Sequence, residues 1–147
     1  MKILYLRVDW SYIEKESGVY DWSSIGDIMN RYGALGFKFS FRFCTYEGMA
    51  HDVPYATPKW VFDSGAEFYE HSLKKSGIRN MYFETHIDES FEPIHNDPLY
   101  LKYLERFVAE CARKLDNDLR VECIDIGTFG TWGEAHTGLG FSRTIYL

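Results

Sequence analysis

The residue types best suited to chemistry gather late in the sequence. Between Gly127 and Gly140 five glycines surround Trp132, Glu134 and His136. Glycines let the backbone turn sharply and come close to a ligand. A carboxylic acid beside an indole in a partly desolvated pocket is the environment in which such a group donates a proton near neutral pH. The segment therefore predicts Glu134 as a catalytic proton donor, Trp132 as a flat stacking surface and His136 as a hydrogen-bonding partner for hydroxyl groups. The plain alternative is a solvated glutamate on a glycine loop.

Other polar and aromatic side chains fall at the ends of apolar stretches. Arg7, Asp9 and Arg42 alternate with hydrophobic residues, so they share strand faces with each other and not with the core. The two arginines either bind substrate and hold carboxylates in place, or form ordinary ion pairs with Asp9 or Asp125. Trp10 and Tyr46 follow directly on these stretches and are candidate platforms for a ligand. Trp22 and Trp60 read as packing residues, Glu14 as a loop stabiliser and Glu47 as a fallback carboxylate. Cys44, Cys111 and Cys123 are too widely spaced for zinc and read as buried, reduced thiols. His51 and His136 are isolated, and no metal ligand set or cofactor motif is expected.

The elements that must position these residues alternate between strand and helix. Ile3 to Asp9 reads as a strand, with Leu4, Leu6 and Val8 on one face and Tyr5, Arg7 and Asp9 on the other. Ile25, Ile28, Met29, Tyr32 and Leu35 keep a helical period, with Asp21 or Ser23 as cap and Gly36 as stop. Phe37 to Cys44 alternates as a second strand, its four phenylalanines on one face. Strand, helix and strand in this order predict a parallel pair. Residues 45–96 form a long loop insertion, with short strands expected at Trp60–Asp63 and Met81–Thr85 and a hairpin or short helix near Ala66–Lys75. Asn96-Asp97-Pro98 then starts a helix whose apolar stripe runs to Leu115. Val121 to Ile126 is the last strand, with Ile124 and Ile126 expected on one face and Val121, Cys123 and Asp125 on the other.

Composition narrows the classes. The 147 residues are 46% hydrophobic and 26% charged, as in an ordinary globular domain and unlike a disordered chain. A net charge of −6 without a Lys/Arg cluster disfavours nucleic acid as a partner. No apolar run approaches the ~20 residues of a membrane helix, and the N-terminus has no secretory signal pattern. Aromatic residues reach 18%, enough for a large core or for a site that stacks on sugars.

Charges at the strand ends, opposite wholly apolar faces, favour a (β/α)8 TIM barrel over a doubly wound sheet, because a barrel opens its inner face at that end. Such a barrel needs about 250 residues, so only a partial barrel of about three βα units is expected. Trp10 to Glu14 and Gly18 to Trp22 resemble the W-x-x-x-E and G-x-Y-D-W segments of TIM-barrel glycoside hydrolases, with family 42 β-galactosidase-like proteins the nearest group. Glu92 to Pro98 and Gly130 to Thr137 resemble related barrel proteins with a G-x-W-G-E-x-H-T segment. The resemblance implies that residues 1–147 are a fragment of one glycoside hydrolase-like barrel domain acting on a carbohydrate, with Glu134 as general acid/base. Gly133 stands where that clan usually has Asn, and the clan's nucleophile lies beyond the matched part, so the isolated chain is expected to be inactive. Open barrel edges predict self-association. The alternative function is a non-catalytic carbohydrate-binding barrel.

Overall fold

A computed structural model describes residues 1–47, 54–72, 89–125 and 127–135. Three strands, β1 (Lys2–Asp9), β2 (Phe37–Cys44) and β5 (Val121–Asp125), form a parallel sheet in the order β1-β2-β5. Helix α1 (Trp10–Ile13) follows β1 directly, and α2 (Ser23–Gly33) crosses over to β2. Helix α3 (Lys59–Asp63) precedes an antiparallel pair, β3 (Phe68–Ser72) and β4 (Glu89–Pro93). The longest helix, α4 (Pro98–Leu115), leads into β5.

Phe39, Phe41 and Phe43 form a stacked ladder along β2 and are buried beneath both long helices. Phe107 of α4 meets Phe43 edge-on, as does Trp22 at the start of α2. Leu4, Leu6 and Val8 extend this apolar face onto β1, in register with the phenylalanines. Local signals explain where the helices begin and end. The Asp97 side chain accepts the Tyr100 N–H at 2.7 Å with Pro98 in the first turn, and the chain leaves α2 through Gly36 at φ 79°.

The barrel expectation is overturned. The fold is a small mixed α/β domain: an open three-stranded parallel sheet plus a separate two-stranded antiparallel sheet. Barrel interiors are packed layers of bulky side chains from a closed ring of strands. Among the described residues β1 and β5 are edges, and the face opposite the phenylalanines carries Tyr5, Arg42 and Asp125, whose polar groups bond to each other, and Arg7, which bonds to Glu47. Charge at the strand ends therefore marks an open polar face and not the mouth of a barrel.

Finer expectations are also corrected. Trp60–Asp63 belongs to helix α3 and is not a strand, while Met81–Thr85 lies outside the described residues. The hairpin expected near Ala66–Lys75 takes the form of β3 paired with the more distant β4. A bulge opposite Phe39/Ser40 brings Val121 level with Phe39 and Cys123 level with Ser40, so Val121 joins the apolar side and leaves the face of Cys123 and Asp125. Cys123 is exposed, whereas Cys44 and Cys111 are buried thiols. Burial pushes the Cys44 thiol up to about 12.

Candidate functional site

Arg7 and Arg42 are direct cross-strand partners on the open face, near the C-terminal ends of β1 and β2. Two adjacent guanidinium groups repel one another unless carboxylates intervene, and here they do. The Arg7 Nη2 donates to both oxygens of the buried Glu47, at 3.0 and 2.7 Å. Arg42 donates through Nε and Nη2 to Asp125 Oδ2, at 2.8 and 2.5 Å, and the Tyr5 hydroxyl donates to the same oxygen at 2.8 Å. The bond to Asp125 holds the Arg42 guanidinium above its ordinary value. Burial pulls Arg7 down, but Glu47 and Cys44 together outweigh it and the net shift is upward.

The glycine segment closes over this pair. The Trp132 carbonyl accepts from Arg7 Nη2 and from Arg42 Nη1, both at 3.3 Å, and the Glu134 carboxylate lies 3.6 Å from Arg42 Nη1. Glu134 keeps 47% of its side-chain exposure, so it reaches solvent beside Arg42. Glycine is required at two points. A Cβ on Gly127 would stand 2.4 Å from Arg42 Cγ, and one on Gly133, at φ +67°, would stand 2.4 Å from the Gly127 carbonyl oxygen. Trp132 and Ala135 are themselves left-handed, at φ 58° and 55°. Such non-glycine residues each cost roughly 1–3 kcal/mol and concentrate at functional sites.

Four neighbours hold the loop in this shape. The Trp132 N–H donates to the Tyr46 carbonyl at 2.9 Å, and the Thr45 and Tyr100 hydroxyls donate to the Thr128 carbonyl at 3.0 and 3.4 Å. The Gly130 N–H points to His95 Nε2 at 3.4 Å.

Arg42, Trp132 and Glu134, read from the sequence as site residues, thus come together. Asp9 ends β1 opposite Cys44 and is half-buried. His136 lies outside the described residues. Trp10 and Tyr46 are packing residues and not ligand platforms. Trp10 is wholly buried and stacks on Phe107 at 5.1 Å, and the buried Tyr46 hydroxyl pairs with Ser90 Oγ at 3.4 Å. Burial pushes the Tyr46 hydroxyl up to about 12.

Sequence reasoning missed the role of Tyr5 and the buried cluster of His71, Glu92 and His95. The spacing Glu92-x-x-His95 was visible, but His71 joins it only through the register of β3 and β4. Among the described residues no group of three His, Cys, Asp or Glu side chains is arranged to hold a metal ion, and no helix is long and apolar enough to cross a membrane. No protein-family model matches the chain, and no curated protein is significantly similar to it. What fold and site define together is an open α/β sheet whose polar strand ends present one solvent-facing glutamate.

Proposed function

We propose that the C-terminal ends of β1, β2 and β5 form a carbohydrate site, in which Glu134 gives its proton to the departing glycosidic oxygen. The observation that carries this reading is the contact of Arg42 with both the Trp132 carbonyl and the Glu134 carboxylate. It brings a solvent-reaching carboxyl group, the backbone of the neighbouring tryptophan and a fixed cation together at the strand ends, where open α/β sheets bind ligands. Arg42 orients Glu134, and the Trp132 indole offers a flat apolar surface to a sugar ring. The proton passes from the Glu134 carboxyl to the bridging oxygen as the C–O bond breaks, and water completes the hydrolysis at the anomeric carbon. That last step needs a second carboxylate, at about 5–5.5 Å for retention or ~6.5–9.5 Å for inversion. Asp125 is the candidate, because it shares Arg42 with Glu134.

One observation favours a second reading, carbohydrate binding without hydrolysis. Asp125 already accepts three hydrogen bonds from Arg42 and Tyr5, and Glu47 is 2% exposed and held by Arg7. Kinetics separate the two. Glu134→Gln should lower turnover of glycosides with poor leaving groups by about 10²–10⁴-fold, the usual worth of positioned acid–base catalysis. An activated aryl glycoside should lose far less. Equal loss on both substrates would remove Glu134 from the donor role, and saturable binding without turnover by the unmodified chain would select the binding reading.

A further inference from the structure

The β3–β4 pair holds a buried polar chain that the chemistry proposed above does not use. His71 Nε2 lies 2.7 Å from Glu92 Oε2, and both side chains are buried. The other Glu92 oxygen lies 3.7 Å from His95 Nε2. That same nitrogen is the acceptor for the Gly130 N–H at 3.4 Å, and the His95 ring packs on Phe129 at 4.8 Å. His95 Nδ1 is buried and has no hydrogen-bond partner among the described residues. His95 thus joins a buried carboxylate to the loop that carries Trp132 and Glu134.

We propose that His95 is a proton-controlled positioning residue for the 127–135 loop: neutral, it holds Gly130 through Nε2, and on protonation it turns that nitrogen to Glu92 and lets Gly130 go. The inference rests on reading this loop as the functional site, and it names how that site is regulated.

The chemistry is a competition for one atom. An imidazole nitrogen accepts a hydrogen bond through its lone pair or donates one through its proton, never both. Accepting from Gly130 requires the lone pair on Nε2, which puts the ring proton on the unpartnered Nδ1. That arrangement leaves a buried donor unsatisfied, a cost the neutral ring carries. Protonation supplies an Nε2–H, and the nearest acceptor for it is the Glu92 carboxylate. The Nδ1–H stays unpaired among the described residues in both arrangements; protonation exchanges the Gly130 bond for one to the Glu92 carboxylate.

The surroundings suit the switch. Burial raises the Glu92 carboxyl, but hydrogen bonding to His71 and the attraction of the neighbouring imidazoles outweigh it and hold the group below its ordinary value. An anion is therefore in place to receive the Nε2–H. Among the described residues, the titratable groups around His95 are Glu92 on its own segment, His71 from β3 acting through Glu92, and Tyr100 from α4 at 6.0 Å. Tyr46 lies behind His71, with ring centroids 5.6 Å apart. Burial pushes both tyrosines upward, so they stay neutral. The cluster holds two imidazoles, His71 and His95, and these are the groups to distinguish.

The test reads the loop and not the activity. The Gly130 and Trp132 amide signals are followed by ¹⁵N NMR from pH 5 to 8 in the unmodified chain, His95→Gln and His71→Gln. The unmodified chain should show one inflection shared by both amides, with faster Gly130 amide exchange on the acid side after correction for intrinsic rates. His71→Gln should keep the inflection. His95→Gln should abolish it while the Trp10 indole N–H signal stays in place as a marker of intact folding. A flat titration in the unmodified chain, which needs no variant, would overturn the proposal, as would an inflection that survives His95→Gln. If the inflection follows His95 but Glu134→Gln leaves glycoside turnover unchanged, the positioning device stands and the glycosidase reading falls.

Discussion

Two loops leave the C-terminal ends of parallel strands carrying the same pair of residues, and they put the pair to opposite uses. After β1, the Trp10 indole donates to Glu14 at 2.7 Å, and both side chains are completely buried. Glu14 also accepts from the Gly18 N–H at 2.7 Å and from Arg106 of α4 at 2.6 Å. The buried carboxylate is bonded from three sides, and the loop is a lock between strand and helix. After β5, Trp132 and Glu134 stand on glycines and left-handed backbone, and Glu134 faces solvent with one oxygen near Arg42. Tryptophan and glutamate close together are therefore no sign of a site. What differs is burial: Glu14 is sealed from solvent, and Glu134 keeps 47% of its side-chain exposure.

The widest separation between the loops should appear in stability. Glu14→Ala strands the fully buried Trp10 indole N–H, at a cost of about 1–3 kcal/mol, and the loss of the bond to the part-exposed Arg106 adds to it. Glu134→Gln, at a largely exposed position, should stay within about 0.5 kcal/mol of the unmodified chain. Urea denaturation of both variants checks this, and similar losses would break the comparison. Next in size is Gly133→Ala, whose Cβ meets the Gly127 carbonyl. Overpacking of that kind costs about 1–3 kcal/mol, and the variant should melt lower and lose Arg42–Glu134 contact. A pH scan sharpens the account further. Glu92 is held below its ordinary value of 4.5, so its contribution to stability is complete above that value and disappears as the pH falls through the lower folded value. Melting temperatures should drop over that acid window, and Glu92→Gln should flatten the drop. Smallest is Ala135→Gly, which relieves an exposed left-handed residue and should raise stability by about 0.5–1 kcal/mol; a loss would show that the φ of 55° is not strained.

The sequence was most legible where local physics decides. Alternation marked β1 and β2, and Asp97-Pro98 with a 3-4 apolar spacing marked α4, because faces and caps are written within a few residues. Arg42 and Glu134 were read as site residues at a barrel mouth, and they meet instead at the ends of an open sheet. What failed needed distant partners. Phe68–Ser72 and Glu89–Pro93 pair across a wide gap in the chain, and neither alternates cleanly enough to announce a strand. Trp10 looks like a stacking platform until Phe107 of α4 covers it. The barrel reading failed for a related reason. Charged strand ends look alike whether they line a barrel mouth or neutralise one another on an open face, and only the pairings of Arg7 with Glu47 and Arg42 with Asp125 tell these apart.

The central claim is that the loop after β5 meets the ligand and the loop after β1 does not. A ¹⁵N NMR titration of the unmodified chain with neutral oligosaccharides tests it most directly. The account predicts saturable shifts at Gly127–Ala135 and at the Arg42 side chain, with the signals of Trp10, Glu14 and Gly18 unmoved. Shifts centred on Trp10–Gly18, or none at Gly127–Ala135 with any sugar tried, would contradict it.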